Sequence, residues 1–183
     1  MKWSPKALVL TVLFSSVSLV CLAASGARSK TSVAFNVSLD KAEYAPGEPI
    51  QVTFSLKNNG SKAIYINNRF NVSAEKSDPG NREVYFQVTD PSGKALPCKV
   101  DYDIGFPKSD YFALLEPNSE ISAERQFNLQ AYFDFQALGT YQVRAVYNNI
   151  YGQEIGLDTL KGPLAAKPLS LKISAPQPST ENP

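Results

Sequence analysis

The sequence predicts an all-β, antiparallel β-sandwich of about seven to eight strands, and three observations carry that prediction. Apolar residues recur at every second position along most of the chain. Turn residues, among them Pro46-Gly47, Asn58-Asn-Gly-Ser61 and Asp90-Pro-Ser-Gly93, punctuate these runs at short intervals. Helical periodicity is almost absent. Alternation with period two sends one set of side chains to a core and the other to water, and short strands divided by regular turns favour two stacked sheets. A barrel is the competing closure, but the long irregular connections fit a two-sheet Greek key better.

The chain opens with two lysines, Lys2 and Lys6, an apolar run from Ala7 to Leu22, and small residues at Ala23-Ala-Ser-Gly-Ala27. That order of basic, apolar and small residues is the layout of a secretory signal, and it predicts a signal peptide over 1–27 with cleavage between Ala23 and Ala27. Serines and a threonine interrupt the run, so it matches a membrane span poorly. Val20 stands before Cys21 where a lipoprotein signal carries a small residue. The expected location is therefore secreted or periplasmic, with no membrane span after cleavage.

About 155 residues follow the signal, the size of one domain. They hold 16 basic and 17 acidic residues, a net charge of −1, and no dense lysine or arginine cluster. Nucleic acid thus has no electrostatic claim as a partner. Cys98 is the one cysteine left, so the sandwich is held by its core without an internal disulfide. An odd cysteine in an exported chain is either buried or paired between chains. Its setting in a predicted strand over 94–100 favours burial.

The elements follow in order. Val33, Phe35, Val37 and Leu39 alternate, then Ile50, Val52, Phe54 and Leu56, with the Pro46-Gly47 turn between them. Proline presets φ at one turn position and glycine accepts the positive φ of the next. A third strand is predicted over 63–67 and a polar loop over 73–82. Val84, Phe86 and Val88 alternate, and Asp90-Pro-Ser-Gly93 turns the chain into 94–100 as a hairpin. Residues 102–108 are irregular and aromatic, and 111–115 is a short apolar run. Ile121, Ala123, Arg125, Phe127 and Leu129 form one further strand, with Arg125 violating the pattern. A helical turn is expected within 131–138. Tyr141, Val143, Ala145 and Tyr147 alternate strongly. After a long connection over 148–166, Leu169, Leu171 and Ile173 close the sandwich, which is assigned to 28–174. The Pro- and Ser-rich segment 175–183 is read as a disordered tail.

Gly139-Thr-Tyr141 at the start of the penultimate strand resembles the tyrosine corner of immunoglobulin-like sandwiches, in which the phenol bonds to backbone. Val37-Ser-Leu-Asp-Lys-Ala-Glu-Tyr-Ala-Pro-Gly-Glu-Pro-Ile50 resembles the opening of exported immunoglobulin-like domains, including those of macroglobulin type. The segments Asp110-Tyr-Phe-Ala-Leu-Leu-Glu-Pro-Asn-Ser119, Phe127-Asn-Leu-Gln-Ala-Tyr-Phe-Asp-Phe135 and Gly139-Thr-Tyr-Gln-Val-Arg-Ala145 are similar to the non-catalytic sandwich that precedes the protease domain of bacterial deuterolysin-like metallopeptidases. The likeness spans most of 33–147. It implies an immunoglobulin-like fold and an association with exported proteolysis. Peptidase chemistry is not carried over, because those enzymes bind zinc through a His-Glu-x-x-His helix and this chain contains no histidine.

The absence of histidine also excludes Ser-His-Asp and Cys-His catalysis and His-ligated zinc. No glycine-rich phosphate loop is present. Asp101, Asp103 and Asp110 offer hard oxygen donors for Ca²⁺, but their spacing lacks the glycine and terminal glutamate of an EF-hand, and solvated loop acids are the expectation. No cofactor, metal or catalytic residue is assigned, and the chain is read as non-enzymatic. Asn-x-Ser triplets at Asn36, Asn59 and Asn71 matter only in a host that glycosylates them.

What remains is recognition. The loop Asp101-Tyr-Asp-Ile-Gly-Phe-Pro-Lys-Ser-Asp-Tyr111 mixes aromatic and polar residues, a composition that buries large area at modest entropy cost. The segment Asn148-Asn-Ile-Tyr-Gly-Gln-Glu-Ile-Gly156 would expose Ile150 and Tyr151. Tyr102, Ile104 and Phe106 are expected either to fold back over one end of the core or to face a partner, and on the second reading Tyr102, Asp103, Phe106, Tyr111, Ile150 and Tyr151 are the candidate partner-binding residues. The expected function is an exported binding or accessory domain, with a protein partner such as an exported protease. The alternative is an envelope-assembly module that pairs through a sheet edge at 94–100.

Overall fold

Alternating apolar residues build two facing antiparallel sheets, as the sequence predicts. The computed structural model describes residues 32–78, 82–101, 103, 105–123 and 126–176. The signal peptide with its cleavage site and Cys21, together with Tyr102, Ile104, Arg125 and the tail beyond 176, lie outside the described residues.

One sheet is centred on β3 (Gln51–Asn58), which pairs antiparallel with β1 (Val33–Leu39) on one side. On its other side lie β8 (Glu120–Ser122) and β9 (Phe127–Asn128). The second sheet runs in the order β2 (Glu43–Tyr44), β12 (Leu169–Ile173), β10 (Gly139–Tyr147), β5 (Val84–Thr89), β6 (Ala95–Leu96). Short β11 (Leu164–Ala165) also pairs with β10, and β2 runs parallel to β12. A separate pair joins β4 (Ile64–Asn67) to β7 (Phe112–Leu115).

The described residues thus form twelve strand segments, and four of these are only two residues long. The expected strand over 94–100 contracts to β6, since Pro97 has no N–H to extend the ladder. The expected strand over 121–129 divides into β8 and β9. The helical turn arrives early, as a 3-10 turn at Leu129–Ala131 capped by the Asn128 side chain.

Aromatic rings join the two sheets. Phe54 of β3 contacts Phe35, Phe70, Phe86 and Phe127 at ring-centroid distances from 4.5 to 6.4 Å. Phe35 of β1 reaches Tyr147 of β10 across the core at 6.0 Å. Each such ring contributes about 1.5–3 kcal/mol on burial, so this cluster supplies what no disulfide does.

The turns obey their residue chemistry. Glu48 N–H donates to Ala45 O across Pro46-Gly47, with Gly47 at φ +80°, the geometry of a type II turn. The Tyr141 hydroxyl donates to Ala137 O at 2.9 Å and accepts from Ala137 N–H at 2.8 Å, so this phenol closes the corner before β10.

Candidate functional site

β4 ends at Asn67 and β10 ends at Tyr147, and the two strands are tied there. The buried Tyr147 hydroxyl accepts from Asn67 N–H at 3.0 Å and donates to Asn67 O at 3.3 Å. Burial pushes the Tyr147 phenol well above its usual range. Just beyond this tie the backbone of Phe70 takes a left-handed φ of +49°. That conformation is costly for an aromatic residue, and here the ring is wedged between Phe54 and Tyr147.

Arg69 and Glu83 sit beside this inversion. Glu83 is 3 % exposed, and its Oε1 accepts from Arg69 Nε and from Asn67 Nδ2, both at 2.7 Å. Arg69 Nη2 adds a further bond to Oε1, while Oε2 accepts from Asn71 N–H at 2.9 Å. A buried carboxylate needs this many donors to offset its desolvation.

The other face of Arg69 holds the aromatic loop. Its guanidinium lies 4.9 Å from the Tyr111 ring centroid, a cation–π contact, and Nη2 reaches Gly105 O at 3.3 Å. Phe106 then meets Tyr151 edge to face at 4.7 Å. The two segments singled out from sequence, 101–111 and 148–156, therefore come together at one end of the fold.

Buried Asn149 shapes the second segment. Its Nδ2 donates to Tyr151 O and Leu160 O, both at 2.8 Å, and to Thr159 Oγ1 at 3.2 Å. These bonds hold Tyr151 and Ile150 at the rim. Burial first, and then the Asp78 charge, push the Tyr151 phenol up.

The result is an apolar patch on a braced base. Phe106 is 61 % exposed and Ile150 41 % exposed, while Tyr111 and Tyr151 are half-buried. Exposed Asp103 shapes its own loop, its Oδ1 accepting from Gly105 N–H at 2.8 Å. Tyr102 lies outside the described residues.

No protein-family model matches the chain, and no curated protein does. The site is therefore read from its own chemistry. Arg69 and Glu83 were not foreseen from sequence, and no local pattern marks them. They are 14 positions apart, one just past a strand end and one just before a strand start, where alternation says nothing.

Elsewhere, Cys98 lies outside any strand and is half-buried, unlike the buried strand residue expected. It lines a cavity of about 330 Å³ with Ala74, Phe86, Val88, Leu96 and Pro97. Desolvation raises its thiol pKa, and its Sγ–H points to Val100 O at 3.4 Å. That thiol is the opposite of an activated nucleophile. Among the described residues, no three Cys, Asp or Glu side chains are grouped to hold a metal ion. Asp101 instead accepts from Ser77 Oγ at 2.6 Å. Among these residues, too, no helix is long and apolar enough to cross a membrane.

Proposed function

We propose that this chain is an exported, non-enzymatic binding domain that holds a protein partner through the aromatic patch of Phe106, Tyr111, Ile150 and Tyr151. One observation carries the reading: two loops some 45 residues apart meet through the Phe106–Tyr151 contact and still leave large apolar side chains in water. Exposed apolar area on a rigid base is what a partner desolvates with little loss of conformational entropy. Arg69 and Glu83 supply the rigidity. Polar residues lie beside these aromatic ones, exposed Lys108 and Asp110 in the first loop and Lys161, whose Nζ donates to Ile150 O, and that mixture matches the make-up of interface hot spots.

Export rests on the signal-like start of the chain. The resemblance of most of 33–147 to the accessory sandwich of deuterolysin-like metallopeptidases makes an exported protease the partner to try first.

The test measures binding or inhibition against a panel of extracellular proteases, using the parent chain and the Phe106→Ala and Tyr151→Ala variants. Each alanine is expected to weaken binding about 30-fold, the equivalent of a hot-spot loss near 2 kcal/mol. Leu138→Ala, at an exposed position outside the patch, is expected to leave it unchanged. Full binding by both patch variants, or no binding to any protease by the parent, sinks this reading.

A further inference from the structure

The sheet edges of this molecule are not alike. β2 and β6 are two residues long, β6 sits between Lys94 and Pro97, and β8 has three residues and carries Glu120. β7 has four, flanked by Asp110 and Glu116. Short length, charge and proline are the usual guards against edge pairing. β1 is the longest of these edges: it ends its sheet, runs for seven uncharged residues as Val-Ala-Phe-Asn-Val-Ser-Leu with the first charge, Asp40, beyond its end, and pairs with β3 residue for residue with no bulge.

The phase of its free side is fixed by the bonds that flank it. Asn59 N–H donates to Ser32 O and Asp40 N–H donates to Gln51 O, so even-numbered residues bond toward β3. In an antiparallel ladder the intervening residues then aim their N–H and C=O outward. Those are Val33, Phe35, Val37 and Leu39. Among the described residues, none of their backbone groups has a partner on that side.

We infer that β1 pairs antiparallel with β1 of a second copy about a two-fold axis at Asn36. Only one register bonds all four outward residues on both chains, with Val33 opposite Leu39 and Phe35 opposite Val37. That register sets Asn36 against its own copy and Ala34 against Ser38. A two-fold axis makes a residue meet itself, which suits a carboxamide, at once donor and acceptor, and defeats any charge. On the adjoining outer face, Asn36 and Ser38 stand opposite Ser55 and Thr53, with Ser38 bonded to Thr53 at 2.8 Å and Ser55 to Glu120, while exposed Lys57 stands opposite Ala34. Around the axis at Asn36 the neighbouring side chains are thus short, and Lys57 lies toward the Ala34 end. The strand pair is small against a standard interface, so the association is weak and concentration-dependent.

Sedimentation equilibrium on the full-length chain tests this. The parent is expected to shift from monomer to dimer as concentration rises. Asn36→Lys and Asn36→Asp should each weaken association about tenfold or more through like-charge contact at the axis, while an equimolar mixture of the two regains dimer. Val37→Pro should also lose dimer, because its N–H faces away from β3 and the monomer ladder is untouched. A thermal melt of each variant verifies folding. A parent monomeric up to about 1 mM, species larger than a dimer, a dimer indifferent to these substitutions, or a mixture that stays monomeric would each overturn the inference.

Discussion

Tyr147 and Cys98 show how single residues carry the physics of this fold. The Tyr147 phenol is buried between two strand ends, and its pKa is raised because the phenolate has no water to solvate it. Above the ordinary tyrosine pKa near 10 the unfolded chain loses this proton while the folded chain keeps it. Stability from this group is thus fully present below about pH 10 and falls as pH rises toward the folded pKa, by at most about 1.4 kcal/mol per pH unit. Urea unfolding between pH 8 and 11 should show that slope, and Tyr147→Phe should reduce it. The same variant should lose about 1–3 kcal/mol at neutral pH, because Asn67 N–H is then left buried without an acceptor. Cys98 behaves in parallel. With its thiolate disfavoured by burial, it should react with a disulfide reagent at pH 8 more slowly in the folded chain than in urea. Equal rates would mean the thiol is not shielded.

The turns and strand starts are the elements on which the architecture depends. Gly139 opens β10 at φ +126°, a backbone state that residues with a Cβ seldom adopt. A Cβ built there would stand 2.9 Å from the Pro91 side chain in the β5–β6 turn. Gly139→Ala is therefore expected to cost about 2 kcal/mol from backbone strain and crowding together, read as a lower urea midpoint with an unchanged slope. A loss below about 0.5 kcal/mol would show that the corner relaxes freely. The Pro91 turn is held by Asp90, whose Oδ1 accepts from Ser92 N–H, Ser92 Oγ and Lys94 N–H. These bonds keep its carboxyl below the usual aspartate range, with the Ser92 hydroxyl as the largest cause. Corner and turn thus brace each other across the sheet.

At the scale of the whole molecule the polar and apolar surfaces separate by position. One end carries Phe106, Ile150 and Tyr151 over the Arg69–Glu83 pair, and one side carries the long edge strand β1. The two surfaces lie on different elements, so alanines in the patch are expected to leave self-association intact, and Asn36 variants to leave partner binding intact. Coupling of the two in a combined binding and sedimentation experiment would mean they form a single interface.

The sandwich was legible in the sequence because period two has a direct physical cause. Val52, Phe54 and Leu56, like Tyr141, Val143 and Ala145, all point inward, and burial confirms each. Turn residues were legible for the same reason: Gly47 has positive φ where the Pro-Gly pair requires it. Both aromatic segments could be named from composition, since large apolar side chains in a loop stand out. Their meeting could not, because contact between residues 106 and 151 depends on how β10 and the β4–β7 pair are placed. Arg69 and Glu83 were invisible for the same reason, as was the length of β6, which Pro97 cuts short. The sequence by itself determined fold class, turns and inward faces, since each is set by residues a few positions apart. Tertiary structure alone decided which loops share an end, which carboxylate is buried and which edge stays open, since those depend on strand order.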